Sequence, residues 1–468
     1  MTKKKISLVF VTKQAVEYYD NTGFFDAVIN LFEVSVLKLP SFALGVKGVD
    51  ENDLPPLDFG SLTDILKYIK EKASLRLNDK LFENKNHHLY APYRHTKGLK
   101  QGLKFWFINV MSYFLASKKG VDFLERQMHK LIRKSIFYKT VLQCYKNTKP
   151  DLVYITHQTT SYTLGVSLVA KDLNISTVCF IYSWDNIVKG NKLVKADYYY
   201  VWSDYMKQEL LQYYADEVMA DKIFVVGTPQ FHHYSNHDTL IAKKVFFKAY
   251  KIPKKDFYLC FSGNFTAIGQ DDPAYLKDLA LAVKHHNKRY KKQFHILLRA
   301  NPADYNKGFT PIIKEFNDVI TDVNSDWTTT KQKAPVDSHK LALAVLYATI
   351  HYSDAMVNVG STMALDATLL CKLAYYIDYK INGGSKKFKI NEIYKFIHFK
   401  SLKQTGNPVR HITKNTQYSL IFEEIQKGDK DRLVAQNKWA QKIVLHPIEK
   451  VSLRMLNGFK IILEKECT

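Results

Sequence analysis

The feature that most constrains this chain is a rhythm, in which short apolar runs bounded by turn formers alternate with stretches of helical period, in two separate series. Such alternation is the signature of βα units, whose strands pair in parallel while helices cover both faces of the sheet. The first series opens with KISLVFV at Lys5 and EVSVLKL at Glu33. After a long interval it continues with DLVYIT at Asp151, STVCFIY at Ser176, DYYYVW at Asp197 and KIFVVG at Lys222. The second runs through FYLCFSG at Phe257, QFHILLRA at Gln293, DVITDV at Asp318, DAMVNVG at Asp354 and LAYYIDY at Leu373. The predicted fold class is α/β, with two doubly wound Rossmann-like domains facing a cleft, over residues 1–235 and 250–430. Helices over 431–468 are expected to pack back on them. Two domains also suit the length of 468 residues, because single cores stop growing near ~250–300.

Residues 62–149 depart from the rhythm, being helical, basic and aromatic, and read as an insertion in the first domain. Within them, KGLKQGLKFWFINVMSYFLASKK from Lys97 places lysines on both sides of an aromatic run. The apolar core of that run is too short for the ~20 residues that span a bilayer. It could lie in the interface of an anionic membrane or pack as an ordinary amphipathic helix on its own domain. Lys+Arg 68 against Asp+Glu 45 leaves a net charge of +23, which draws a protein toward anionic partners without choosing among them. Hydrophobic residues at 46% and charged residues at 24% exclude disorder. Five scattered cysteines without CxxC spacing point to a reducing, cytoplasmic setting, and the basic start with a short apolar run reads as a first core strand rather than a signal peptide.

Ligands of parallel sheets sit at the carboxyl ends of strands, where helix N-termini and loop amides converge, so the residues after each strand carry the chemistry. In the second domain these are Ser262, Gly263, Asn264 and Thr266, then Arg299, then Gly360-Ser361-Thr362 opening a helix with Asp366 one turn on. Amides, hydroxyls and a guanidinium suit a diphosphate, and a carboxylate suits a ribose diol. In the first domain His157 and Asp185 follow strands and are candidate bases, with Glu17 and Asp20 behind them. Asp185 ranks first, because burial beside Trp184 would raise its pKa toward neutrality. No metal site and no bound cofactor are expected.

The segments SWDNIVKG, ADYYYVWSDYMKQEL, KIFVVGTPQF, HILLRANPAD and GSTMALDATLLCK resemble bacterial GT-B glycosyltransferases of surface-polysaccharide synthesis, lipopolysaccharide or capsule, including relatives of the CDP-glycerol, sialic acid and Kdo transferases. The resemblance implies an acceptor-binding first domain and a second domain that binds a nucleotide sugar. The acceptor would be a glycan or lipid-linked glycan, and the net charge with the basic aromatic run from Lys97 to Lys119 would place the chain at the inner face of the cell membrane. The family's Arg-x-His-Pro reads Arg299-Ala300-Asn301-Pro302 here, without the His. No Glu occurs between Leu341 and Lys380, where retaining enzymes often carry two, so an inverting, metal-independent mechanism is implied. The alternatives are a UDP-sugar 2-epimerase-like enzyme, a CDP-polyol phosphotransferase, and a non-catalytic nucleic-acid binder. Nothing in the sequence marks a specific nucleic-acid site.

Overall fold

The computed structural model describes residues 3–90, 98–189, 192–215, 217–264, 269–300, 308–323, 338–384 and 390–466. Chain contacts separate two compact units, Met1–His232 with Ile443–Thr468, and His233–Lys442.

The first unit is built on seven parallel strands: β1 (Lys5–Phe10), β2 (Glu33–Lys38), β3 (Asp50–Asp53), β4 (Leu152–Ile155), β5 (Ser176–Phe180), β6 (Tyr198–Val201) and β7 (Ile223–Val225). Their order is β3-β2-β1-β4-β5-β6-β7, so the winding reverses between β1 and β4. Val9 on β1 pairs with Leu37 on one side and Ile155 on the other. β4 and β6 are buried along their whole length, which explains why they read as unbroken apolar runs. Helices begin promptly after the strands because a hydroxyl residue waits there. Thr12, Thr160 and Ser203 accept from the amides of Ala15, Thr163 and Met206, each satisfying an orphan donor.

The insertion lies between β3 and β4 and consists of helices Gly60–Leu81, Leu99–Phe114, Lys118–Ile132 and Ile136–Thr148. Ile69, Ala73, Ile108 and Leu124 form the core that joins its first three helices. It is tied to the sheet unit by buried charge. Lys70 pairs with Glu125 at 2.8 Å and donates to the Lys192 carbonyl at 2.8 Å, while Lys195 holds the other oxygen of Glu125 at 2.8 Å. Burial pushes the Glu125 carboxyl up, but the two ammonium groups more than offset this and hold it down at about 2.

The helix Val451–Lys465 closes this unit. Phe459 stacks on Tyr200 with centroids 5.5 Å apart, and the Tyr200 hydroxyl donates to the Met455 carbonyl at 2.8 Å. The preceding helix, Lys430–Val444, lies largely in the second unit, where Gln436 bonds the backbone of Ala374 and Pro408. So of the segment expected to pack back, the part from Ile443 onward joins the first unit.

The second unit has six parallel strands: β8 (Phe257–Ser262), β9 (Phe294–Arg299), β10 (Ile320–Asp322), β11 (Ala355–Asn358), β12 (Leu373–Ile377) and β13 (Arg410–Ile412). They are ordered β10-β9-β8-β11-β12-β13, with the reversal between β8 and β11. Two strands, β3 and β13, were not foreseen from the sequence. Among the described residues no helix is long and apolar enough to cross a membrane.

Candidate functional site

A doubly wound sheet opens a crevice where its winding reverses, since the helices after the two adjacent strands leave toward opposite faces. In the first unit this crevice lies past β1 and β4. The Thr156 hydroxyl donates its single hydrogen to the Val9 carbonyl at 2.8 Å, and its oxygen lies 3.0 Å from His157 Nδ1. With that hydrogen committed, Nδ1 must be the donor to Thr156, and the lone pair of His157 is left on Nε2. The ring stacks on Tyr182 at 4.0 Å, and burial pushes its pKa down to about 3, so the imidazole is neutral. Tyr182 in turn donates to Gln14 Oε1 at 3.3 Å. Beside it, Gln158 is buried, with neither side-chain amide atom hydrogen-bonded among the described residues.

Asp185 has a different setting from the one expected. The Ser183 hydroxyl donates to it at 2.8 Å and Lys189, four residues on, pairs with it at 2.5 Å. Trp184 is buried, yet the carboxylate beside it keeps a fifth of its surface exposed. A paired ammonium favours the charged form, which opposes the desolvation on which its first rank rested. Glu17 is buried within its helix, Lys13–Asp20, and Asp20 is exposed at that helix's far end, about 10 Å along the axis from its first residue. The structure thus brings His157 to the crevice, with Tyr182 stacked on it and Gln158 buried next to it, two residues to which the sequence assigned no role. Tyr182 stands two residues past β5, as His157 stands two past β4, and could have been found by the same rule. A further buried acid, Glu209, lies on the helix Asp204–Tyr213, with its carboxyl pushed well above the ordinary range by burial and by the charge of Asp185. Its place inside a helix gave no sign of this.

In the second unit the crevice lies past β8 and β11. Asn264 bridges the two strands, its side-chain amide donating to the Val359 carbonyl at 2.9 Å and its backbone amide to Asp272 at 2.6 Å. Asp272 is buried, its other oxygen has no hydrogen-bond partner among the described residues, and burial pushes its carboxyl up to about 7. Asn358 ends β11 and accepts from the Ser361 amide at 3.0 Å, while its own side-chain nitrogen is buried without a hydrogen-bond partner among the described residues. Gly360 holds φ +58, and a side chain there would press on Phe399 and Ile393 at 3.0–3.1 Å. The expected row of free amides is therefore shortened. The Ser361 amide is taken by Asn358, and the Met363 amide reaches the Ser361 hydroxyl at 3.4 Å.

Gly263 serves packing, because a Cβ there would meet the Phe309 ring at 2.9 Å. Ser262 is buried, and Thr362 opens the helix Met363–Leu369 without capping it. Thr266 lies outside the described residues. Asp366, expected at a ribose, instead turns inward. It accepts from the Tyr234 hydroxyl at 2.6 Å, and burial pushes its carboxyl up to about 7 despite the nearby Arg299. Arg299 ends β9 and feels Cys260, Tyr250, Tyr234 and Asp322 as well, with burial pulling its pKa down.

Farther along the same edge, past β12 and β13, a cleft of about 680 Å³ is lined by Asp278, Asp378, Lys380, Asn382, Lys414 and Asn415, among others. Asp378 is held by His411 at 2.9 Å. This cleft was missed because the strand that frames it, β13, was missed.

No protein-family model matches the sequence, and no curated protein matches it. Among solved structures, a UDP-N-acetylglucosamine 2-epimerase superposes with a TM-score of 0.53 at 11% identity, covering 98% of this chain and 96% of that one. The S. aureus MnaA–UDP complex gives 0.51 at 13% over 98% and 97%. A glycosyltransferase from Rickettsia africae ESF-5 gives 0.51 at 11% over 99% and 100%. The fold is GT-B. Two successive parallel α/β units, matched over essentially whole chains, carry that conclusion, and the crevice of each GT-B unit is where its chemistry is to be sought.

Proposed function

We propose that the chain is a nucleotide-sugar-dependent glycosyltransferase, inverting and metal-independent, that builds a glycan or lipid-linked glycan. The observation that carries this reading is His157. It is a neutral imidazole at a crevice, with its Nδ1 hydrogen spent on Thr156 and a lone pair on Nε2. Such a group can take the proton from an acceptor hydroxyl as that oxygen attacks the anomeric carbon and the bond to the diphosphate breaks. Burial keeps the resting imidazole neutral, the form in which a histidine accepts a proton. In the second unit, Arg299 and the turn Gly360-Ser361-Thr362 are proposed to hold the diphosphate, with Asn264 and Asn358 setting that turn. His157 thus replaces Asp185 as the leading base.

Epimerisation of a UDP-sugar is the second reading, favoured by the epimerases among the fold's neighbours. The two reactions separate cleanly. A transferase releases nucleoside diphosphate only when acceptor is present, whereas an epimerase exchanges a carbon-bound hydrogen with D₂O without acceptor. A thermal-shift panel of UDP, GDP, CMP, CDP and dTDP identifies the donor first, since a ligand at ~100 times its Kd stabilises by ~2.7 kcal/mol. His157→Gln is expected to lower turnover by ~10²–10⁴ at unchanged nucleotide affinity. Near wild-type turnover in that variant would remove His157 from the chemistry.

A further inference from the structure

The helix Leu99–Phe114 turns its wider apolar stripe outward. At 100° per residue, Leu99, Leu103, Trp106, Phe107, Tyr113 and Phe114 fall within an arc of about 120°. That arc faces solvent: five of the six are 60–82% exposed, and Phe107 is 45% exposed. The opposite side packs on the rest of the insertion and is mixed, with Ile108 and Met111 in the apolar core and polar groups beside them. Ser112 is buried beside Ile108, Lys72 donates to Asn109 at 2.7 Å, and Arg76 donates to Ser112 at 3.2 Å. An amphipathic helix ordinarily buries its apolar stripe and exposes its polar one. Here the apolar stripe is outermost, and Phe123 on the next helix adds another exposed ring.

We infer that this face docks in the interface of an anionic lipid bilayer, with the rings at the acyl boundary and the surrounding lysines at the headgroups. Charge selects this occupant. No Asp or Glu occurs between Glu83 and Asp122, and Lys100, Lys118 and Lys119 are exposed around the stripe. A second copy would bring the same basic patch against itself in a twofold interface, where like charges repel. Trp and Tyr are the residues that prefer the membrane–water boundary, and a helix of 16 residues, about 24 Å long, can lie in its plane. The inference stands independently of the sugar chemistry proposed above.

The test is flotation of the full chain with vesicles of phosphatidylcholine and phosphatidylglycerol in equal parts, and of phosphatidylcholine alone. Binding is expected to the first and to be weaker by a large factor to the second. Neutralising Lys100, Lys118 and Lys119 to Gln should weaken binding to anionic vesicles on the order of 100-fold, at about five-fold per lysine. Leu103→Ser/Trp106→Ser/Phe114→Ser should abolish binding while leaving the melting temperature unchanged, because these side chains have little packing to lose. Should that variant misfold, Trp106→Phe serves instead. Made in a Trp327→Phe background, it should lose the blue shift of tryptophan emission on adding anionic vesicles, since the three tryptophans that remain, Trp184, Trp202 and Trp439, are already buried. Equal binding to both vesicle types, or undiminished binding by a folded triple-serine variant, would overturn the proposal. So would a wild-type dimer that the triple-serine variant turns into a monomer without any vesicle binding.

Discussion

Asp366 shows how far a residue's identity can be from its role. Its position one turn into a helix that follows a strand suggested an outward carboxylate, but the helix presents that position to the unit's interior, against Tyr234. The group is then best kept protonated, with its pKa pushed up to about 7. A carboxyl raised in the fold imposes no penalty below its ordinary value near 3.8, where folded and unfolded chains both hold the proton. As pH rises from there to about 7 the unfolded chain loses the proton first, and stability declines. Asp366→Asn keeps an acceptor for Tyr234 and cannot ionise. It is expected to melt nearly like the wild type at pH 4 and to be more stable at pH 8, on the order of 4 kcal/mol. A lower melting temperature at pH 8 would mean that the carboxylate is charged and held by Arg299. Asp185 teaches the complementary lesson. Lys189 stands four residues on in the sequence, so the ion pair that counts against Asp185 as a base was legible as a close pairing of opposite charges within one loop.

At the scale of elements, what was legible follows burial. Interior parallel strands such as β4, β6 and β12 are covered on both faces and declare themselves as apolar runs. The strand β3 is Asp50-Glu51-Asn52-Asp53, mostly exposed and paired only with β2, so no hydrophobic pattern announces it. The strand β13 is three residues long and joins the sheet at its edge. The insertion was legible as helical, but not the direction its apolar stripe would face, because periodicity says that a helix has two sides and not which one finds a partner. Part of the answer is Lys72 and Arg76, which bond Asn109 and Ser112 of that helix, while its neighbours in the insertion are joined through the Lys70–Glu125–Lys195 network. Removing one partner leaves a buried charge uncompensated, so Glu125→Leu is expected to destabilise the protein by about 3–5 kcal/mol in chemical denaturation. Lys70→Met combined with Glu125→Leu should recover much of that loss, although Lys195 still faces the vacated site. A double variant no better than the single one would show that the network acts through Lys195. The pH dependence points the same way. With Glu125 held at about 2, its contribution is complete above its ordinary value near 4.5 and is lost as pH falls toward 2.

At the scale of the whole molecule, the chain's final helix returns to complete the unit with which the chain began. Phe459 is fully buried, stacked on Tyr200 and edge-on to Tyr154 and Phe24, rings contributed by β6, β4 and the helix Phe24–Leu31. Gly458 makes this approach possible, because a Cβ there would collide with the Tyr200 phenol. Ser452 adds a hydrogen bond of 2.7 Å to Thr22, beside the turn that opens that helix. The sheet of the first unit therefore lacks one covering element until residues 443–468 are in place, and its stability is coupled to the most distant part of the sequence. Long-range closure of this kind is slow to form, since the intervening chain must be ordered or looped out first. Phe459→Ala is expected to cost about 3–5 kcal/mol, the loss for removing a buried aromatic side chain. Truncation after Lys442 should expose the Tyr200, Tyr154 and Phe24 rings together and leave the first unit unable to fold. The second unit ends at Lys442 and keeps its own sheet, so limited proteolysis of the truncated chain should digest residues before His233 while sparing a fragment of 233–442. If instead the first unit survives truncation with its proteolytic resistance intact, the C-terminal helix is an accessory layer and the aromatic cluster beneath it is stable without cover.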